Sequence, residues 1–298
     1  MEQTERASST GDRTRMQSDP DSHVLPSKTR IGRTALRVSD LGDMAEFYRE
    51  VVGLNVLSHS ETTAILGVEQ TPLLVLEEDE NALARDQSGA GLYHNAFRVP
   101  SRGALGDALT RIRDRWHLGG ASDHGVSEAL YLTDPEGNGV EIYRDFPRQE
   151  WPIADDGRVQ IGTYSIDLEP VEAAATGKPG VPVGTDVGHV HLEVTSLEMF
   201  GDFYVDTLGF DVQTTVPNAS FVSAGGYHHH IGANTWHHRT GPVSGRGLSW
   251  FEVVLPETEA LETIRDRVAG SQFAVTETTD GISVIGPDEI EVRFRVET

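Results

Sequence analysis

The chain repeats itself. The segment GRTALRVSDLGDMAEFYREVVGL, beginning at Gly32, returns at Gly188 as GHVHLEVTSLEMFGDFYVDTLGF, matching Arg33 with His189, Val38 with Val194, Phe47 with Phe203, Tyr48 with Tyr204 and Gly53 with Gly209. The same offset aligns GLYHNAFRVP from Gly91 with GLSWFEVVLP from Gly247, which sets His94 against Trp250 and Pro100 against Pro256. One register kept across two unlike segments marks duplication of a large unit, and duplication restricts the fold to architectures assembled from paired modules. A length of 298 residues suits about two domains.

Each repeat has a readable interior. Ile31 to Val38 alternates as a strand, Ser39 or Asp40 can cap a helix carrying Leu41, Met44, Phe47, Tyr48 and Val51 on one face, and Gly53 is placed to end it. Short strands are predicted at Leu54 to His59, Thr63 to Leu66 and Leu73 to Glu77, making a βαβββ unit. A second unit follows from Leu92 to Arg144, with a strand at His94 to Val99, a helix from Ala104 to Trp116 and two strands around the turn DPEGNG. The expected class is α+β, with four βαβββ modules forming two tandem open-barrel domains at residues 31–146 and 187–298. Residues 147–186, rich in Pro and Gly, form a linker. Residues 1–30 contain almost nothing apolar and are expected to be a disordered polar tail.

Forty-seven Asp and Glu face only 24 Lys and Arg, for a net charge of −23, and the lysines are confined to Lys28 and Lys178. Such a surface argues against nucleic acid as a partner and suits a halophilic cytoplasm, where salt screens carboxylate repulsion. With no cysteines, disulfides, thiolate metal sites and a Cys nucleophile are excluded, so any metal must use His and carboxylate. No apolar run approaches the ~20 residues of a membrane span, and Met1 to Thr29 lacks a signal-peptide apolar region. A cytoplasmic protein without a membrane partner is expected; the oligomeric state, a homo-oligomer included, is left open.

Paired βαβββ modules with F-Y-x-x-x-x-G-[LF] after the first helix and D-P-x-G-N-x-x-E in a last strand resemble the vicinal oxygen chelate superfamily, which includes glyoxalases, bleomycin resistance proteins and extradiol dioxygenases. Within it, GLYH, DHGVSEALYLTDPEGNGVEIYRD, GHVHLEV and SAGGYHHHIGANTW resemble the ring-cleaving, catechol-2,3-dioxygenase-like members. The likeness runs from Ile31 to Thr298 apart from the linker. It implies metal ligands on the first and last strands of the modules, facing into a barrel.

His189 occupies a first-strand ligand position, and His191 and Glu193 share its face because strand side chains alternate. Tyr227-His228-His229-His230 leads directly into apolar residues at the end of the third module, with His228 and His230 expected to face one way and His229 the other. Glu291 is expected in the fourth module's last-strand slot, matching Glu141. Trp250 stands where the resemblance would put a second His. The expected ligand set is therefore His189, His230 and Glu291, with His191 as acid/base and His228 as the other catalytic candidate. The rival site is His94 with Glu141, joined by His124; Arg33 stands at its first-strand position, and an arginine binds no cation. Tyr227, Asn234 and Trp236 are expected to shape the pocket, and His59, His117, His237 and His238 to be solvated.

Two His and one carboxylate suit Fe(II) and O₂, with Mn(II) or another divalent metal as alternatives. The resemblance thus implies a non-haem Fe(II) extradiol dioxygenase opening a catechol- or hydroquinone-like diol. A metal-dependent glyoxalase or isomerase and a non-catalytic protein sequestering an aromatic compound are the alternatives on the same scaffold.

Overall fold

The structure, a computed structural model, describes residues 24–297. Most of the expected tail lies outside the described residues. The part within them packs, since Leu25 is buried and its N–H donates to Gly209 O at 2.9 Å, so order begins before residue 30.

Four modules follow in sequence. The first comprises β1 (Arg30–Val38), α1 (Leu41–Phe47), β2 (Asn55–His59), β3 (Thr63–Val68) and β4 (Thr71–Glu78). The second has β5 (Gly91–Arg98), α2 (Arg102–Arg115), β6 (Gly120–Asp123), β7 (Ser127–Thr133) and β8 (Gly139–Asp145). After α3 (Glu169–Ala173), the third has β9 (Asp186–Glu193), α4 (Leu197–Phe200), β10 (Asp211–Val216), β11 (Ala219–Ser223) and β12 (Ile231–Asn234). The fourth has β13 (Gly247–Leu255), α5 (Thr258–Ala269), β14 (Ala274–Glu277), β15 (Gly281–Ile285) and β16 (Glu291–Val296).

The expected first helix is there: Asp40 caps it by accepting from Asp43 N–H, and Leu41, Met44, Phe47, Tyr48 and Val51 are buried. Helices α1 and α4 both loosen into a π-turn, and both stop at glycines in the left-handed region, Gly53 at φ 93° and Gly209 at φ 88°. The turn DPEGNG is tied by Asp134, whose carboxylate accepts from the N–H groups of Glu136 and Asn138 and from the buried Tyr48 hydroxyl. No described helix is long and apolar enough to cross a membrane.

The modules form two eight-stranded sheets, ordered β14-β15-β16-β13-β1-β4-β3-β2 and β10-β11-β12-β9-β5-β8-β7-β6. In every module the first and last strands lie side by side and parallel, and modules join by antiparallel pairing of first strands, β1 with β13 and β5 with β9. The sheets therefore do not follow the halves of the chain. The ranges 31–146 and 187–298 give the order of modules in sequence, whereas each sheet draws one module from either half, the first with the fourth and the second with the third.

The linker is also structured. Val171 of α3 is fully buried, and Asp107 of α2 accepts from the N–H groups of Thr176 and Gly177. Closer to the second sheet, Trp151 and Val159 pack on Val126, and Tyr164 pairs with Asp123 at the sheet edge.

Candidate metal centre

Crosswise pairing determines which side chains meet. Across β8, β5 and β9, Glu141, Ala96 and His189 form one rung, and His94 precedes Ala96 by two residues on the same face of β5. A methyl group at the middle of the rung leaves the flanking side chains room to lean together above it. Gly139, opposite His94, permits the close strand approach: a Cβ there would lie 2.0 Å from Tyr93 O.

The three polar ends converge. His94 Nε2 lies 3.0 Å from Glu141 Oε2, His189 Nε2 lies 3.2 Å from the same oxygen, and the two Nε2 atoms are 3.3 Å apart. All three residues are buried, and among the described residues no other trio of potential ligands converges in this way. Donor atoms about 2.1 Å from one ion stand ~3.0 Å apart at octahedral angles and ~3.4 Å apart at tetrahedral ones, so this triangle fits one face of a coordination shell. Protonation agrees. Burial pushes His189 down to about 4, while the two imidazoles outweigh the effect of burial on Glu141 and hold it well below the usual carboxylate range. Neutral imidazoles and an ionised carboxylate are the forms that bind a divalent cation. His189 Nδ1 is buried without a hydrogen-bond partner; its ring is instead held between His229 and Tyr143, at centroid distances of 4.1 and 4.9 Å.

The trio opens into a cavity of about 580 Å³ lined by the second and third modules and by linker residues Ile161 to Thr163. One wall is aromatic: Tyr93 meets His191 and Trp236 at 4.9 and 5.3 Å, and Phe221 packs on His191. On the opposite side the Tyr131 hydroxyl and His124 Nε2 are 2.6 Å apart, and His124 Nδ1 donates to Gly162 O, also at 2.6 Å. A third line of contacts runs outward from the cavity. His229 lines it, and its Nδ1 lies 2.8 Å from His228 Nδ1; His228 Nε2 lies 2.9 Å from Asp145, whose carboxylate also takes bonds from Arg98 and Tyr227. Burial acts to raise the Asp145 pKa, but His228 and Arg98 outweigh it and keep the group ionised. With a single proton on His228, placed on the Nε2 that donates to Asp145, its Nδ1 accepts from His229 Nδ1–H, and His229 Nε2 is left with a lone pair.

These positions correct several expectations. The set His189, His230 and Glu291 is not brought together. Glu291 belongs to the other sheet, where it accepts from Ser283 Oγ at 2.7 Å and Arg293 Nε at 2.6 Å. His189 stands instead with the rival pair His94 and Glu141, because its strand pairs with the second module and not the fourth. Residues 227–230 precede β12 as an irregular segment and not as a strand, so strand alternation does not govern them. His229 is the residue that turns into the cavity. His230 Nδ1 accepts from Ala224 N–H, and burial pushes its pKa down to about 3; His228 sits one step behind the wall. His191 does line the cavity, with Nε2 3.1 Å from the Asn234 amide nitrogen. Glu193 is buried between Arg85 and Arg239 and also bonds His237, which is therefore partnered. Of the pocket-shaping candidates Trp236 lines the cavity, whereas Tyr227 hydrogen-bonds Tyr143 and Asp145.

The first sheet repeats the geometry with other residues. There Glu252 pairs with Arg293 as Ala96 pairs with Glu141, so Arg293 and not Glu291 is the counterpart of Glu141. Trp250 replaces His94 and Arg33 replaces His189. Glu252 binds Arg33 Nη2 at 2.6 Å and Arg295 Nε at 3.0 Å, and the Arg293 guanidinium lies 4.0 Å from the Trp250 ring centroid.

Two curled sheets of paired βαβββ modules, one holding under a cavity a two-His, one-carboxylate cluster that could hold a metal ion, define a member of a widely used scaffold. Residues 30–142 match the family model of the glyoxalase/bleomycin resistance protein/dioxygenase superfamily. Over 268 residues, 87% of this chain and 94% of the other, the sequence is 40% identical to catechol-2,3-dioxygenase of Bacillus subtilis (strain 168). It is 26% identical over 166 residues to biphenyl-2,3-diol 1,2-dioxygenase 3 of Rhodococcus globerulus, spanning 51% of this chain and 84% of that protein. A solved Bacillus subtilis structure with a provisional dioxygenase designation superposes with TM-score 0.63 at 14% identity, over 92% of this chain and 86% of that one, which shows the common fold. The chain belongs to the glyoxalase/bleomycin resistance protein/dioxygenase superfamily.

Proposed function

We propose that the protein is an extradiol dioxygenase that opens a catechol-like aromatic with O₂ at a non-haem Fe(II) held by His94, His189 and Glu141. The observation that carries this reading is the convergence of two imidazoles and one carboxylate within 3.3 Å of each other at the base of a largely apolar cavity. The 40% identity to a catechol-2,3-dioxygenase supports the reaction class. Three protein ligands suit Fe(II) because they leave coordination positions for both diol oxygens and for O₂.

The remaining groups divide the work. His229, with a lone pair on Nε2, takes a proton from the diol, and His228 with Asp145 fixes the tautomer that makes this nitrogen an acceptor. His191, the base expected from sequence, already has Nε2 engaged by Asn234 and serves with Tyr93 and Trp236 as a wall against which an aromatic ring packs. Tyr131 and His124 supply polar groups on the opposite side of the ring. Catechol is the simplest substrate for testing the reading. Protein purified without oxygen should contain one iron per chain, consume one O₂ per catechol and yield a coloured ring-opened product. Metal-dependent turnover without O₂ uptake would select a glyoxalase- or isomerase-type enzyme instead, and tight binding of aromatics without a metal would select a sequestering protein.

A further inference from the structure

Each of the two sheets ends in two edge strands, and three of the four edges are guarded. In the second sheet the linker reaches both: Asp123 of β6 exchanges two backbone hydrogen bonds with Tyr164, at 3.1 and 2.8 Å, and Thr214 Oγ1 of β10 donates to Val159 O at 2.5 Å. In the first sheet β14 carries a charge pair, since Glu277 accepts from Arg265 Nη2 at 2.9 Å. The fourth edge is β2. Its residues are exposed apart from the half-buried Leu57, and among the described residues its backbone pairs with β3 alone. A row of unpaired N–H and C=O groups is a template for another strand, and proteins ordinarily blunt it with charge. A bulge between Val56 and Ser58 bends β2 but adds no charge.

The neutral surface extends beyond the strand. Residues 53–60 and 179–185 contain no Asp, Glu, Lys or Arg, against 24% charged residues in the whole chain. The two stretches touch, because Val181 N–H donates to Gly53 O at 3.0 Å. Two exposed apolar side chains, Val56 at 40% and Val183 at 64% exposure, lie within three residues of that contact. Chains of net charge −23 repel one another, and contact costs least where local charge is lowest. A partner selected by charge would find nothing to pair with on this strip. A second copy brings the same neutral edge, and antiparallel pairing of identical strands about a two-fold axis is self-complementary. We propose that β2 is a homodimer interface: the β2 strands of two copies pair antiparallel and join their first sheets into one continuous sheet, with Val56 and Val183 supplying apolar cover beside the ladder.

Sedimentation of the full chain in molar KCl should give a particle of twice the 32.5 kDa chain mass, and the dimer should weaken as salt is lowered and repulsion returns. Ser58→Glu, at an exposed position, puts like charges across the interface and should weaken the dimer about tenfold or more, whereas Thr276→Glu on β14 should not. The chain has no cysteine, so introduced thiols report position without interference. A two-fold axis normal to the sheet sets one residue of β2 opposite its own copy, and a disulfide needs Cα atoms no more than about 7 Å apart. Of the single variants Asn55→Cys, Val56→Cys, Leu57→Cys and Ser58→Cys, at least one should therefore crosslink on oxidation, and Thr276→Cys should not. A monomer at micromolar concentration in molar salt, a dimer insensitive to Ser58→Glu, or crosslinking at residue 276 in place of β2 would overturn the proposal.

Discussion

The two sheets share a scaffold but settle the same rung in opposite ways. At corresponding positions the second sheet has His94, Ala96, Glu141 and His189, and the first has Trp250, Glu252, Arg293 and Arg33. In the second sheet a small residue at the centre lets two imidazoles and a carboxylate meet around room for a cation. In the first sheet the central residue is itself an acid, and arginines from both sides supply its positive charge through covalently tethered guanidinium groups. A cation position can therefore be retired without disturbing the strands, by exchanging an exogenous cation for arginines of the chain. Buried or half-buried charge remains matched in both cases, which the cost of an unpaired ion demands.

Removing a ligand should break the comparison most severely. His94→Ala, Glu141→Ala or His189→Ala should abolish both bound iron and ring cleavage, whereas Glu291→Ala should leave iron content unchanged; iron retained by the first three and lost from the last would move the centre to the other sheet. Next in size, His229→Ala should keep its iron and lose about 10²- to 10⁴-fold in kcat, the usual contribution of a positioned proton acceptor, while Asp145→Asn should cost less. An equal loss of iron from His229→Ala would make that residue a ligand instead.

Acid should act on the second sheet through its buried histidines. His189 and His230 have folded pKa values pushed down by burial to about 4 and about 3 from an ordinary 6.5. A depressed value means that the unfolded chain takes up the proton first, so metal-free protein keeps their contribution above pH 6.5 and loses it progressively as pH falls towards 4 and below. Denaturant titrations of the metal-free protein at a series of pH values check the direction; stability that rises on acidification in this window would contradict it. In the first sheet, Arg33→Ala should cost about 2 kcal/mol, since Glu252 loses its bidentate partner but keeps Arg295, with iron and activity unaffected. The smallest and least localised effect is that of salt: with a net charge of −23, molar KCl should raise the melting temperature of wild type by a few degrees. A melting temperature indifferent to salt would remove the basis for reading the acidic surface as a high-salt adaptation.

Much of this organisation was legible in the chain. The repeat exposed four modules, apolar periodicity located their helices, and glycines marked where α1 and α4 stop. His189 was recognised from its first-strand position, and His94 with Glu141 was identified as a rival pair. What the sequence did not contain was the choice of partner. A repeat aligns modules with one another but does not say which first strands will pair, and that choice puts His189 beside Glu141 instead of Glu291. Two local errors had separate causes. Glu291 lies two residues from the true counterpart of Glu141, because the turns before the two last strands differ and only strand register reveals it. His229 was assigned the wrong side because strand alternation was extended into the irregular segment before β12, where the period of two has no force.

The crosswise pairing of modules also gives the protein an assembly order. During synthesis from the N-terminus, both modules of the second sheet are complete once Asn234 has been made, and the β5–β9 partnership can form with only the linker between them. The first module is made earliest, and although β1 can pair with β4 at once, its other edge must wait for β13 until Leu255 has emerged, unpaired through most of translation. The older half of the first sheet is thus the segment for which a chaperone, or a misdirected second chain, would compete. Limited proteolysis of chains stalled after residue 245 should find the second sheet protected and β1 still open to cleavage; early protection of β1 would show that it does not wait for β13.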